Sequence, residues 1–203
     1  MSVEIFIARH GQNQDNVNGI LNGHRDLPLT DLGRDQAKEL GETIKSSNLF
    51  FDAVYSSPLS RAFETAEIVA NTAGLPKPSI YDQLIERDFG VLTGQPADRV
   101  EELCAPDIIK TETITYFLSA EGAETFPQLI ERGQRILDYI RVKHNSGKVL
   151  LVCHGDIGKM IYCAATGKEW TSVLTDFHFG NGDLIDISGV GEAHKIKLAQ
   201  HNH

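Results

Sequence analysis

Two apolar runs in this chain each end in a histidine followed by a glycine. Ile5-Phe6-Ile7-Ala8 leads into Arg9-His10-Gly11, and Val149-Leu150-Leu151-Val152-Cys153 leads into His154-Gly155. Between them, Ser56-Ser57-Pro58-Leu59-Ser60-Arg61-Ala62 sets Arg61 at the start of a helix. A neutral imidazole nitrogen is a competent nucleophile near pH 7 when the other ring nitrogen holds the proton and is anchored. Guanidinium forks match the oxygens of a phosphoryl group. Two imidazoles and two guanidiniums, with a loop of backbone N–H groups, can hold a phosphate dianion and attack it. Arg61 points the same way: a helix macrodipole disfavours a cation in the first turn, and a bound anion would offset that.

These side chains can act together only if the elements carrying them end at one edge. Residues 3–8 read as a buried strand, and residues 31–45 as a helix capped by Thr30, with Ala37, Leu40 and Ile44 on one face. Ala53-Val54-Tyr55 is a short strand. Ser57 as cap and Pro58 at the first helical position open the next helix, with Leu59, Ala62, Ala66, Val69 and Ala73 at helical spacing. Residues 129–143 are amphipathic, with Leu129, Ile130, Ile136, Leu137 and Ile140 set against Glu131, Arg132, Arg135, Asp138 and Arg141.

A strand over 149–153 and a helix over 157–165 follow. Further strands are expected near 175–179, 183–187 and 195–198, with Asn181-Gly182 as a hairpin turn between the first two. Apolar strands alternating with helices predict an α/β three-layer sandwich, a mostly parallel sheet flanked by helices. In such sheets ligands bind at the carboxyl ends of the strands, where His10, the Ser56-Ser57 turn and His154 all fall. Two stretches break the rhythm: a long polar loop over 11–28, and residues 89–124, expected as a small helical cap insertion. One domain, 1–203, is the expectation.

Bulk properties narrow the classes. The chain has 203 residues, 41% hydrophobic and 23% charged, within the ordinary globular range. A net charge of −9 argues against nucleic acid or an anionic membrane as partner. It leaves an anionic small substrate open, because a focused cationic pocket dominates at close range. The three cysteines, Cys104, Cys153 and Cys163, show no CxxC spacing and suit a reduced cytoplasmic protein. No apolar run has the length of a signal peptide or a membrane span. Cys153, after four apolar residues, reads as core. His24, His144, His178, His194, His201 and His203 have no metal-ligand spacing.

The ordered set of motifs resembles the histidine phosphatase superfamily, which includes the phosphoglycerate mutases and many small-molecule phosphatases. Beyond the residues above it includes Asn16, six positions after His10; Leu27-Pro28-Leu29-Thr30 followed by Gly33; Thr65-Ala66; and Glu86-Arg87-Asp88-Phe89-Gly90. The resemblance implies a phosphoglycerate mutase-like fold and a phosphohistidine formed on His10. It also implies Arg9, Arg61 and His154 as catalytic partners gripping the phosphoryl oxygens, and Glu86 as the general acid and then base. Asn16, Gly23 and Gly155 would add phosphate contacts, with Asn22 and Arg25 in the same stretch. Gly11 would let the backbone approach the phosphate and adopt conformations other residues disfavour. Arg87 would take a carboxylate or second phosphate of the substrate. Neither metal nor cofactor is implied, the partner is a small phosphorylated metabolite, and a homo-oligomer is compatible.

Within that resemblance a phosphatase is favoured over a mutase. After Gly94, mutases carry a lysine three positions on, where Ala97 stands here, and an arginine pair where Thr113 and Ile114 fall. Without those cations a phosphoglycerate carboxylate is poorly held and water becomes the acceptor. A metallophosphoesterase would need an ordered set of Asp, His and Asn ligands that the chain does not offer. A non-catalytic phosphate-binding protein on the same fold is the remaining option.

Overall fold

The computed structural model describes residues 2–189 and the backbone of 194–196. Its elements run β1 (Glu4–Arg9), α1 (Gln14–Asn18), α2 (Asp31–Ser46), β2 (Ala53–Ser56), α3 (Ser60–Ala73), β3 (Ser79–Ile80), α4 (Val100–Cys104), β4 (Ile108–Lys110), β5 (Thr115–Phe117), α5 (Phe126–Lys143), β6 (Lys148–Cys153), α6 (Gly155–Thr166), α7 (Trp170–Asp176), β7 (Leu184–Asp186) and β8 (His194–Ile196). Six strands form one sheet in the order β3-β2-β6-β1-β7-β8. The first four are parallel, and β7 and β8 add antiparallel.

Helices cover both faces, which is why the central strands read as unbroken apolar runs. Alternate residues of β1 serve the two layers. Ile5 and Ile7 pack with Leu129, Ile136 and Leu137 of α5 and Ile157 and Ile161 of α6. Phe6 and Ala8 pack with Leu40 and Ile44 of α2 and Ala62, Ala66 and Val69 of α3. The mostly parallel α/β sandwich expected from sequence is what forms.

Several boundaries differ for physical reasons. Thr30 caps α2 as expected, its hydroxyl accepting from Gly33 N at 3.0 Å. Ser57 does not cap α3: that helix starts at Ser60, with Leu59 at the cap position and no side-chain cap bond from it. Asp26 serves instead from afar, accepting from Ser60 N at 2.6 Å. α5 begins earlier than its apolar period suggested, at a reciprocal cap between Thr125 and Gln128 with Pro127 in the first turn.

The strand expected over 175–179 is absent. Residues 170–176 are helical, and Val173 and Leu174 enter the core. The Asn181-Gly182 turn forms without a hairpin, and Gly182 N donates back to Arg9 O at 3.1 Å. The loop over 11–28 contains the short, capped α1. The expected insertion at 89–124 holds the short helix α4 but also the antiparallel pair β4–β5, so it is not purely helical. Of the strand expected over 195–198, residues 197 and 198 lie outside the described residues. Among the described residues no helix is long and apolar enough to cross a membrane.

Candidate active site

Register builds the site. β1 and β6 are parallel neighbours with Arg9 opposite Cys153, so the residues that follow, His10 and His154, emerge side by side. Their ring centroids are 5.0 Å apart. β2 lies on the other side of β6, with Ser56 opposite Val152, which delivers Ser57 beside His154. Ser57 Oγ and His154 Nε2 are 2.7 Å apart.

The hydrogen bonds of His10 choose its tautomer. Nδ1 lies 2.6 Å from the carbonyl oxygen of Gly11, which can only accept, so Nδ1 carries the proton. Arg61 Nε donates to Nε2 at 3.3 Å, which requires a lone pair there. Both contacts describe a neutral ring with an unprotonated Nε2. Burial, then the charges of Arg61 and Arg9, hold His10 well below the ordinary imidazole value, against a smaller upward pull from the Gly11 carbonyl. His154 is depressed in the same direction by burial, Arg61, His10 and Arg9. Its Nδ1 is buried without a hydrogen-bond partner among the described residues.

Arg61, fully buried, is held at three points. Besides His10, its Nη1 donates to Arg25 O at 2.6 Å and its Nη2 to Gly23 O at 3.0 Å. Burial lowers it to about 10, so it remains a cation at neutral pH. Gly23 therefore presents its carbonyl to Arg61, at a left-handed φ of 48° where a Cβ would meet Thr93 and Phe89. Arg25 reaches outward to the buried Asp15, Nε to Oδ2 at 2.8 Å. Arg9 Nη1 donates to Phe179 O at 2.7 Å, while its buried Nε has no partner among the described residues.

Gly11 does not take up the unusual backbone conformation expected of it, and packing requires the glycine. Its φ is not positive; a Cβ there would stand 2.2 Å from the carbonyl oxygen of Gly33. A Cβ on Gly33 would in turn strike Gln12 O at 2.0 Å. These two glycines let the loop after β1 lie flat on the start of α2. Gly11 N is then free to donate to Thr65 Oγ1 at 3.1 Å.

Glu86, buried, has its carboxyl fixed by backbone N–H groups: Arg87 N at 2.9 Å and Ile157 N at 3.1 Å on Oε1, Asp156 N at 3.3 Å on Oε2. Two of these belong to the first turn of α6, the helix that follows His154. Arg132, expected on the polar face of α5, is instead buried and braces this segment. It donates to Gln83 O, Ile85 O and Glu86 O at 2.7, 2.6 and 3.2 Å and pairs with Glu124.

Arg87 sits between the rings of Phe117 and Phe126, its Cζ 3.9 and 4.1 Å from their centroids. Both Nη atoms donate to Phe117 O. Its Nε stands 3.3 Å from Asp156 Oδ2 but off the N–H direction, so that attraction is one of charge and not a hydrogen bond. Burial pushes the Asp156 carboxyl up, against the opposing pull of Arg87.

These groups surround a cavity of about 200 Å³. Of the sequence-predicted residues, Arg9, His10, Asn16, Arg61, Glu86, Arg87 and Gly155 line it, as does Asn22. His154 is not among the lining residues and reaches the site beside the His10 ring; Gly23 acts from behind Arg61. Asn16 forms the reciprocal cap of α1 with Asn13. The sequence missed Asn181, whose Nδ2 donates to His10 O at 2.9 Å, and the wall formed by Tyr116, Asp156 and Lys159. It also missed Ser57 as the partner of His154. Cys153 is core as expected, burial pushing its thiol up. No group of three or more His, Cys, Asp or Glu among the described residues could hold a metal ion. A neutral imidazole bonded to one guanidinium and under the charge of a second, on a cavity also lined by a fixed carboxyl, has the groups needed to attack a phosphoryl group.

Comparison with known proteins gives a consistent picture. The family model for the histidine phosphatase superfamily (branch 1) matches residues 5–201. A 2,3-bisphosphoglycerate-dependent phosphoglycerate mutase of Mesorhizobium japonicum is 30% identical over 183 residues, 86% of each chain. Phosphoserine phosphatase 1 of Hydrogenobacter thermophilus is 28% identical over 167 residues, 82% of this chain and 78% of that one. Among solved structures, a mycobacterial glucosyl-3-phosphoglycerate phosphatase aligns with a TM-score of 0.77 at 19% identity, covering 96% of this chain and 97% of that one.

Proposed function

The chain belongs to the histidine phosphatase superfamily, and from that premise we propose that it hydrolyses a small phosphate monoester through a phosphohistidine on Nε2 of His10. The observation that carries this is the tautomer of His10, with the proton held on Nδ1 by Gly11 O and the lone pair of Nε2 set beside Arg61.

The reaction runs in two balanced steps. Nε2 of His10 forms a bond to phosphorus as the bond from phosphorus to the alcohol oxygen breaks, and the Glu86 carboxyl gives its proton to the departing oxygen. Glu86 then takes a proton from water, whose oxygen attacks phosphorus. The P–N bond breaks, its electron pair returns to Nε2, and inorganic phosphate leaves. Arg9, Arg61 and His154 supply the positive charge and hydrogen bonds that stabilise the transferring group. Asn16 and Gly155 also line the cavity and add to that grip.

The cavity volume fits a compact ester, being smaller than the roughly 300–1,000 Å³ that takes drug-sized ligands. The phosphoserine phosphatase and the glucosyl-3-phosphoglycerate phosphatase among the similar proteins favour hydrolysis. Phosphoglycerate mutase is the second reading, favoured by the mutase relative. Against it, Ile114 lines the cavity where the mutases carry an arginine, and Ala97 replaces their lysine.

Steady-state assays separate the two. Nitrophenyl phosphate and small alkyl phosphates should be hydrolysed equally well with and without EDTA, and phosphoglycerate isomerisation primed by bisphosphoglycerate should be slower than hydrolysis. Isomerisation outrunning hydrolysis would move the assignment to mutase, and loss of activity in EDTA would remove it altogether.

A further inference from the structure

The cavity lining also holds a cation that neither step uses. Lys159 lies one helical turn after Gly155 on α6, so both face the same side, and both line the cavity. Only 6% of Lys159 is exposed, and buried lysines are almost always paired with an acid. Here Nζ donates to Tyr116 Oη at 2.8 Å and, at 3.5 Å, to Leu174 O, both neutral. No carboxylate lies within 4.0 Å of it among the described residues. An ammonium has three hydrogens to give, and two are placed.

The cation expected for this task from sequence is otherwise occupied. Arg87 gives both Nη atoms to Phe117 O, and its charge faces Asp156. We propose that Lys159, held in place by Tyr116, receives a carboxylate on the alcohol part of the substrate. The preferred substrate is then the phosphomonoester of a small hydroxy acid. The proposal rests on the phosphatase assignment and extends it to the leaving group. A single ammonium beside a phenol suits a monoanion better than a second phosphate dianion, and the small cavity agrees. Burial lowers Lys159 to about 8 even against the upward pull of the Asp156 carboxylate, which lies near it but gives it no hydrogen bond. An arriving carboxylate that takes the third hydrogen would relieve the remaining depression. Burial also keeps the Tyr116 phenol protonated at neutral pH.

The test compares phosphoglycolate with ethyl phosphate, which differ by a carboxylate in place of a methyl group. The wild-type protein should favour phosphoglycolate by roughly 10- to 100-fold in kcat/KM, expressed mainly in KM. Lys159→Met should abolish that preference by raising KM for phosphoglycolate. Tyr116→Phe, which preserves the ring and loses the hydroxyl, should reduce it part of the way. Equal use of the two esters by the wild type, or a preference that survives both substitutions, overturns the role of Lys159. A propanediol bisphosphate used better than phosphoglycolate overturns the carboxylate assignment. Hydrolysis of nitrophenyl phosphate by the wild type keeps the two levels apart. Its presence with no preference between the esters sinks Lys159 alone, and its absence sinks the phosphatase assignment beneath it.

Discussion

Single atoms decide the chemistry proposed for this site. The proton on Nδ1 of His10 leaves the lone pair on Nε2, and Asn181 steadies the same residue through its carbonyl oxygen. If Glu86 protonates the leaving oxygen, Glu86→Gln should slow alkyl phosphates by roughly 10²–10⁴-fold while nitrophenyl phosphate, whose leaving group needs no proton, is far less affected. Equal slowing of both in steady-state assays would take Glu86 out of that role. Ser57→Ala should leave His154 without its 2.7 Å partner and lower kcat by roughly tenfold with KM little changed. A change confined to KM would contradict a role in orienting His154. At this scale the sequence was most legible where an apolar run stops at a reactive residue, as at His10 and His154. Ser57 was misread because serine before proline is also a capping signal; here its hydroxyl accepts from Leu59 N at 3.3 Å, ahead of the helix, and is shared with His154.

Elements explain why those atoms meet. Parallel pairing of β1 with β6 and of β6 with β2 brings three strand ends to one edge. The buried strands were readable because both faces are covered, so their central residues form unbroken apolar runs. α7 was not. Thr175, Phe177 and Phe179 suggest a strand by propensity, whereas Trp170, Val173, Leu174 and Phe177 carry a helical period. Ring stacking resolves the conflict, with Trp170 on Phe126 at 5.3 Å and Phe177 on Tyr162 at 4.2 Å. The mixed insertion was weakly patterned because β4 and β5 have three residues each. Gly33→Ala tests the packing beneath the site. The added carbon must displace the backbone of Gln12, so a loss of roughly 1–3 kcal/mol in denaturant unfolding is expected, with lower activity. Unchanged stability would mean that the His10 loop is not pinned by this contact.

At the scale of the whole molecule, two neutral buried imidazoles link folding to pH. The unfolded chain protonates its histidines below about 6.5, while the native state resists at His10 and His154, whose values are depressed. The unfolded state then binds more protons, so stability falls as pH drops through that value, by up to about 1.4 kcal/mol per pH unit for each residue. Asp156, raised by burial, acts oppositely between the ordinary carboxylate value and its own. Chemical denaturation from pH 7.5 downward should show this decline, and His154→Gln should flatten it. A decline of the same slope in that variant would contradict the account. A net charge of −9 concealed the cationic cavity from composition alone, since Arg9, Arg61 and Lys159 converge only through the fold.

The central claim is that His10 becomes covalently phosphorylated. Protein mixed with a phosphate ester labelled in its phosphoryl group, quenched during turnover and denatured, should carry phosphate that is stable in base, is lost in acid and maps to His10. His10→Ala should carry none. Label retained by His10→Ala, or turnover by the wild type with no trapped phosphate under any quench, would contradict the account.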